Sequence, residues 1–213
     1  MMENATNDDM FYLTNTQALK TLIACEEILG ESGMAAVLKY AKLSYLVDHY
    51  PPDNLDKVFS FEKYSQIMLA LETVYGKRGG RTMGMRIGRA GSKLMINNFN
   101  IMMGTMNPAF NSLPVLKKMH LVLIALTKIL AKISDMTTHV VEHEDSFEFV
   151  FERCPVCWGR HDEDKPMCYN DVGLLKGLMY WASNGKEFRI VETKCIAVGD
   201  DVCAFRIPKT PEE

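Results

Sequence analysis

The chain has 213 residues, 24 Lys+Arg against 27 Asp+Glu, and 47% hydrophobic residues. That length is ample for a buried core, and the composition excludes whole-chain disorder, collagen and coiled coil. A net charge of -3 argues against a nucleic-acid protein driven by global positive charge. No apolar run approaches the ~20 residues of a membrane helix, so no membrane insertion is expected. The polar start MMENATNDDM is unlike a signal peptide, and the expectation is a cytoplasmic chain with reduced cysteines.

Thr14 to Leu29 reads as a helix capped by Asn15 or Thr16, with Leu19, Leu22, Ile23 and Ile28 as its stripe. Gly33 restarts the pattern through Val37, Leu38, Ala41 and Tyr45, until Pro51-Pro52 ends it. Ser60 opens a further helix carrying Tyr64, Ile67, Met68, Leu71, Val74 and Tyr75 at the same period. Gly76, Gly80, Gly84 and Gly88 follow at every fourth residue, a side-chain-free helix face suited to close packing. The weakly patterned NFNIMMGTMNPAF, with Met102, Met103 and Met106, reads as a loop able to close over a pocket. Leu113 to Ile133 is the clearest helix, with Met119, Val122, Leu123, Leu126, Ile129 and Leu130 on one face.

The period then changes from 3.6 to 2. Residues 138–142 and 147–151 flank an acidic turn and read as a hairpin. A helix fits Asp171 to Ala182, and the strands Phe188–Thr193 and Val202–Ile207 are joined through Gly199-Asp200-Asp201. Helices followed by hairpin, helix and hairpin predict an α+β fold, N-terminal helices packed on an antiparallel sheet. The expected organisation is a tail over 1–14, one domain over 15–208 and a short tail over 209–213. Within the domain, 15–135 is mainly helical and 136–208 holds the sheet and the metal-binding part.

Charge falls in blocks. Residues 1–72 carry 5 basic and 11 acidic side chains, residues 73–134 carry 10 basic and none acidic, and residues 135–213 carry 9 basic and 16 acidic. The middle block suits an anionic ligand group, an acidic partner or the chain's own acidic blocks.

Cys25 stands alone and reads as a small core residue, whereas the other five cysteines lie between 154 and 203. Glu192, Cys195 and Cys203 sit near the ends of the last two strands, where a hairpin brings them together. Cys168, at the entry to the preceding helix, is the candidate fourth ligand of a tetrahedral Zn2+. The knuckle Cys154-x2-Cys157, with His161 nearby, offers an alternative set for zinc or an iron–sulfur cluster. His139 and His143 lack a nucleophile or orienting acid, so no catalytic residue is assigned.

The segment PMCYNDVGLLKGLMYWASNGKEFRIVETKCIAVGDDVCAFRI resembles the vinyl-4-reductase, or hydrocarbon-binding, domain family. The match runs through Cys168, Gly173, Gly177, Glu192, Cys195, Ala197, Gly199, Asp200, Cys203 and Phe205. With the helical GKRGGRTMGMRIGRAG it spans about residues 15–208. Relatives include phenol- and xylene-sensing modules of bacterial activators, a bacteriochlorophyll-pathway protein, and small subunits of the vesicle-tethering transport complex. The resemblance implies an α+β fold, a homodimer, an apolar pocket, and zinc held by Cys168, Glu192, Cys195 and Cys203. Cys154 and Cys157 stand outside that ligand set. The expected function is binding or sensing of an apolar aromatic, acyl or tetrapyrrole-like molecule, without nucleic-acid contact. A reductase or carrier role in tetrapyrrole metabolism, or an assembly role, is the alternative. No hydride-cofactor fingerprint is present, since Gly84-x3-Gly88 is not one.

Overall fold

The computed structural model describes residues 10–103 and 108–212. A short strand β1 (Tyr12–Thr14) leads into helix α1 (Asn15–Tyr40), and strand β2 (Lys57–Ser60) leads into helix α2 (Phe61–Met103). β1 and β2 pair antiparallel, so the entries to both long helices are fastened side by side. Thr14, rather than Asn15 or Thr16, caps α1: its Oγ1 accepts from Gln17 N at 3.3 Å. The short helix α3 (Pro108–Asn111) and the amphipathic α4 (Val115–Ile133) follow. The predicted face of α4 is buried from Met119 through Leu130.

The hairpin lies where the alternation places it. β3 (Thr138–Glu142) pairs with β4 (Ser146–Phe151) in a register running from Thr138 opposite Phe151 to Glu142 opposite Phe147. Helix α5 (Tyr169–Ala182) precedes β5 (Val191–Lys194) and β6 (Cys203–Pro208). The antiparallel sheet has the order β3-β4-β6-β5, so β6 is inserted beside β4 and carries β5 at the edge. Phe147, Phe149, Phe151 and Phe205 are buried from the two central strands. These segregated helices and antiparallel strands make the fold α+β.

Glycine acts in two distinct ways. Gly30 in α1 (φ 71°, ψ 166°) and Gly76 in α2 (φ 73°, ψ 158°) interrupt their helices in a region of backbone space essentially restricted to glycine. Gly76 is therefore a kink rather than the first member of a smooth helical face. The Tyr75 side chain, next to the second kink, reaches the helix after the first: a Cβ on Gly33 would lie 2.6 Å from Tyr75 Oη. Beyond the kink, the stripe packs on α5 backbone to backbone. A Cβ on Gly88 would fall 1.9 Å from Asn170 O, and one on Gly173 would fall 2.0 Å from Met85 O.

Met102 and Met103 belong to the last turn of α2 instead of a loop, and Met106 lies outside the described residues. Cys25 is fully buried in the core, as its isolation in sequence suggested, and burial pushes its thiol up to about 12. The basic block meets carboxylates of both acidic blocks. Arg89 pairs with Glu187, and Lys93 lies 4.0 Å from Glu27. Among the described residues, no helix is long and apolar enough to cross a membrane.

Candidate metal centre

Three pieces of local structure bring the sulfur atoms together. Cys154 and Cys157 lie on the turn after β4, whose path is fixed by Arg160 N donating to Cys157 O at 3.0 Å. Trp158 packs edge-on against Phe11 and Phe61, at 5.2 and 5.7 Å between ring centroids. The side chain of Arg160, only 9% exposed, bridges Glu72 of α2 and Glu163 of the same loop. Cys168 occupies the N-cap position of α5. Glu192 lies on β5 opposite Phe205, and Cys203 begins β6 opposite Phe151. Between them, Cys195 N donates to Asp200 Oδ2 at 2.8 Å, and Gly199 takes φ 101° to turn the chain back.

All five cysteines of this region are buried. Their ligand atoms form two overlapping tetrads, each within 4.8 Å: Cys154, Cys157, Cys168 and Cys203; and Cys168, Glu192, Cys195 and Cys203. The second is the set expected from the sequence; the first contains the Cys154-x2-Cys157 knuckle. His161 is exposed and belongs to neither.

Sulfur–sulfur separations are 3.6 Å for Cys154–Cys168, 3.4 Å for Cys157–Cys203, and 3.9 Å for both Cys168–Cys195 and Cys168–Cys203. A tetrahedron with metal–sulfur bonds of ~2.3 Å has edges of about 3.8 Å, so these spacings fit a zinc-sized ion. Glu192 Oε2 accepts from Cys168 N at 2.7 Å, while its Oε1 is buried without a hydrogen-bond partner. A buried carboxylate oxygen left without a donor is costly, and a metal ion would satisfy it.

The electrostatics agree. Burial pushes the thiols of Cys154 and Cys168 well above their ordinary range. Cys195 alone among the five is pulled down, because the thiols of Cys157, Cys168 and Cys203 donate toward it. Burial, and then the negative charge on Cys195, raises Glu192 to about 9. The buried donors thus compete for negative charge. A divalent cation would remove that competition and allow several thiolates to coexist.

The site adjoins a cavity of about 40 Å3 between α1, α2 and α5. Thr21, Ala24, Ile87, Met95 and Phe151 supply wall, while Tyr64, Asn170 and Asp171 supply polar atoms. Tyr64 Oη donates to Asn170 Oδ1 at 2.9 Å. Asp171 is buried, and burial raises it to about 7. Its Oδ2 accepts from Cys154 Sγ at 3.4 Å. One carboxylate therefore touches both the cavity and the thiol cluster.

Residues 147–209 match the model of the vinyl-4-reductase domain family. The chain carries a vinyl-4-reductase domain. The matched segment takes in nearly all of β4, then α5, β5 and β6, and with them all six donor residues. The matched segment thus carries the candidate metal donors, while α1 and the kinked α2 supply the opposite cavity wall.

Across nearly the whole chain the fold is similar to H-NOX structures. A Cs H-NOX mutant containing 4-cyano-L-phenylalanine has a TM-score of 0.59 at 15% identity, covering 93% of this chain and 98% of that one. The Fe(II) unliganded H-NOX protein from K. algicida has a TM-score of 0.57 at 13% identity, covering 94% and 98%. An H-NOX protein from S. oneidensis in the Fe(II)NO ligation state has a TM-score of 0.52 at 14% identity, covering 88% and 96%. At these identities the likeness is one of fold. No curated protein matches the chain.

Asp171 is the functional candidate that the sequence reading missed. Its signal was available: an acid in the first turn of a helix, three residues after a cysteine, has its carboxylate near that helix's capping groups. His139 and His143 are exposed, and each lies near a carboxylate, Glu152 at 3.3 Å and Glu148 at 3.8 Å.

Proposed function

We propose that the protein binds or senses an apolar small molecule, with a structural zinc ion bracing one wall of the binding cavity. The observation carrying this reading is that metal donors and cavity share the first turn of α5. Cys168 caps the helix, and Asn170 and Asp171 line the cavity. Zinc would be held by Cys168, Cys203 and further donors from Glu192, Cys195, Cys154 and Cys157. It would tie the loop after β4, the start of α5 and the last hairpin into one unit.

A cavity of about 40 Å3 is small beside the roughly 300–1,000 Å3 of ordinary ligand pockets. An aromatic or acyl ligand would gain room by displacing lining side chains such as Ile87 and Met95. Burial of its apolar surface would supply about 25 cal/mol per Å2.

Studies of H-NOX structures address haem distortion, but haem is not carried over. Among the described residues, no histidine lines this cavity. His120, the half-buried one, is stacked on Phe147 and lies 3.4 Å from Glu142. The all-cysteine tetrad favours one second reading, an iron–sulfur centre in a reductase or carrier subunit. A cytoplasmic homodimer is part of the primary proposal.

Native mass spectrometry with metal analysis tests the choice. One zinc per chain and an exchangeable small ligand are expected. Iron with acid-labile sulfide would replace the primary reading with the second, and a metal-free chain would overturn both.

A further inference from the structure

Six donors for one tetrahedral ion leave two in excess, and the surplus has a geometric order. Cys168 and Cys203 belong to both tetrads, with their sulfurs 3.9 Å apart. An ion bonded to both at ~2.3 Å lies about 1.2 Å from the midpoint of that edge. Two ions on opposite sides of the edge would be about 2.4 Å apart, against the ~3.5–4 Å of paired metal sites. Two dications so close, away from water, repel strongly.

We propose that the centre holds one ion and offers it two mutually exclusive seats, sharing Cys168 and Cys203 and completed either by Glu192 and Cys195 or by Cys154 and Cys157. This inference rests on the metal centre proposed above and adds its regulation. The hydrogen bonds identify the resting seat. Cys154 Sγ lies 3.4 Å from Asp171 Oδ2, a hydrogen-bond partner outside both tetrads. Glu192 Oε1 is buried and unpartnered, and a cation beside it would satisfy it. The ion therefore rests on Cys168, Glu192, Cys195 and Cys203, and Cys154 is held in reserve.

Moving the ion breaks its bonds to Glu192 oxygen and Cys195 sulfur and forms bonds to the sulfurs of Cys154 and Cys157. The thiol protons of Cys154 and Cys157 leave. Two protons arrive on the released Glu192 carboxylate and Cys195 thiolate. Charge, protons and electrons balance, and no oxidant is needed.

The test is Co2+ titration of the full chain, followed by thiolate-to-cobalt charge-transfer absorption, whose intensity counts bound sulfurs. Wild type is expected to saturate at one ion with the three-thiolate intensity. Cys154→Ser should match it. Cys195→Ser should also bind one ion, within about tenfold of the wild-type affinity but with four-thiolate intensity. Cys203→Ser, common to both seats, should lose about 100-fold or more. Circular dichroism of each variant, beside chelator-treated wild type, separates lost binding from lost fold. Two ions per wild-type chain would overturn the exclusive seats. A Cys195→Ser or Cys154→Ser variant that is folded yet binds as poorly as Cys203→Ser would leave only one seat and also overturn the proposal. A wild-type chain that binds no cobalt would instead overturn the metal centre itself.

Discussion

The two walls of the cavity are built on opposite principles. On the vinyl-4-reductase side, donor atoms sit on strand register, a helix cap and a turn closed by Asp200, so each has a defined position before any ion binds. On the other side, α1 and α2 are long helices broken at Gly30 and Gly76. One wall is specified by donor chemistry and the other by helices interrupted at glycine.

The largest expected effect comes from dismantling the fixed wall. Cys168→Ser removes a donor common to both tetrads, and metal affinity should fall by about 100-fold or more. Thermal stability should fall with it, because binding free energy is folding free energy for such a site. Metal content and melting temperature measured together check this; an unchanged zinc stoichiometry would remove Cys168 from the ligand set.

Next is the seam between the walls. Gly88→Ala places a methyl 1.9 Å from Asn170 O, and backbone must move to admit it. A loss of about 1–3 kcal/mol is expected in denaturant unfolding. The metal and cavity residues on the first turn of α5 should shift too, so weaker zinc retention should accompany the loss.

The interrupted helix should respond less. Gly76→Ala forces a side chain into a conformation reserved for glycine and should cost about 1–3 kcal/mol. Unlike the seam variant, it should leave metal stoichiometry at the wild-type value. A Gly76→Ala protein as stable as wild type would show that α2 runs straight in solution.

The smallest effect lies at the base of the helices. Burial pushes Asp135 up, but hydrogen bonds from Lys57 Nζ and Tyr12 N and the Lys57 charge outweigh it and hold its carboxyl below the ordinary range. Its contribution is present above the unfolded carboxylate value and is lost as pH falls through the lower folded value. Asp135→Asn should therefore cost about 1 kcal/mol at neutral pH, and the difference from wild type should vanish in strong acid. Stability curves of both proteins at neutral pH and in strong acid test the sign.

The sequence disclosed this architecture unevenly. The hairpin of residues 138–151 was legible because alternation in Phe147-Glu148-Phe149 has no helical counterpart. α4 was legible because its apolar stripe is unbroken. β1 and β2 were not, since strands of 3 and 4 residues carry too little pattern. Glycines spaced by four announced a bare face, but neither their partner on α5 nor the break at Gly76 can be read from spacing. Cys168, Glu192, Cys195 and Cys203 were found by motif and Cys154-x2-Cys157 by spacing. Their convergence on a shared pair depends on β6 inserting beside β4, a topological fact. His161 lies close to the knuckle in sequence, but its position in the loop leaves it exposed.

Arg160 carries one last consequence. By bridging Glu163 and Glu72, it rivets the knuckle loop to α2 four residues before the break at Gly76. Both halves of α2 are thus tied to the same side, the first through Arg160 and the second through its glycine contacts with α5. The break at Gly76 lies between two fixed points, and the guanidinium adds to the core contacts of Met68 and Leu71.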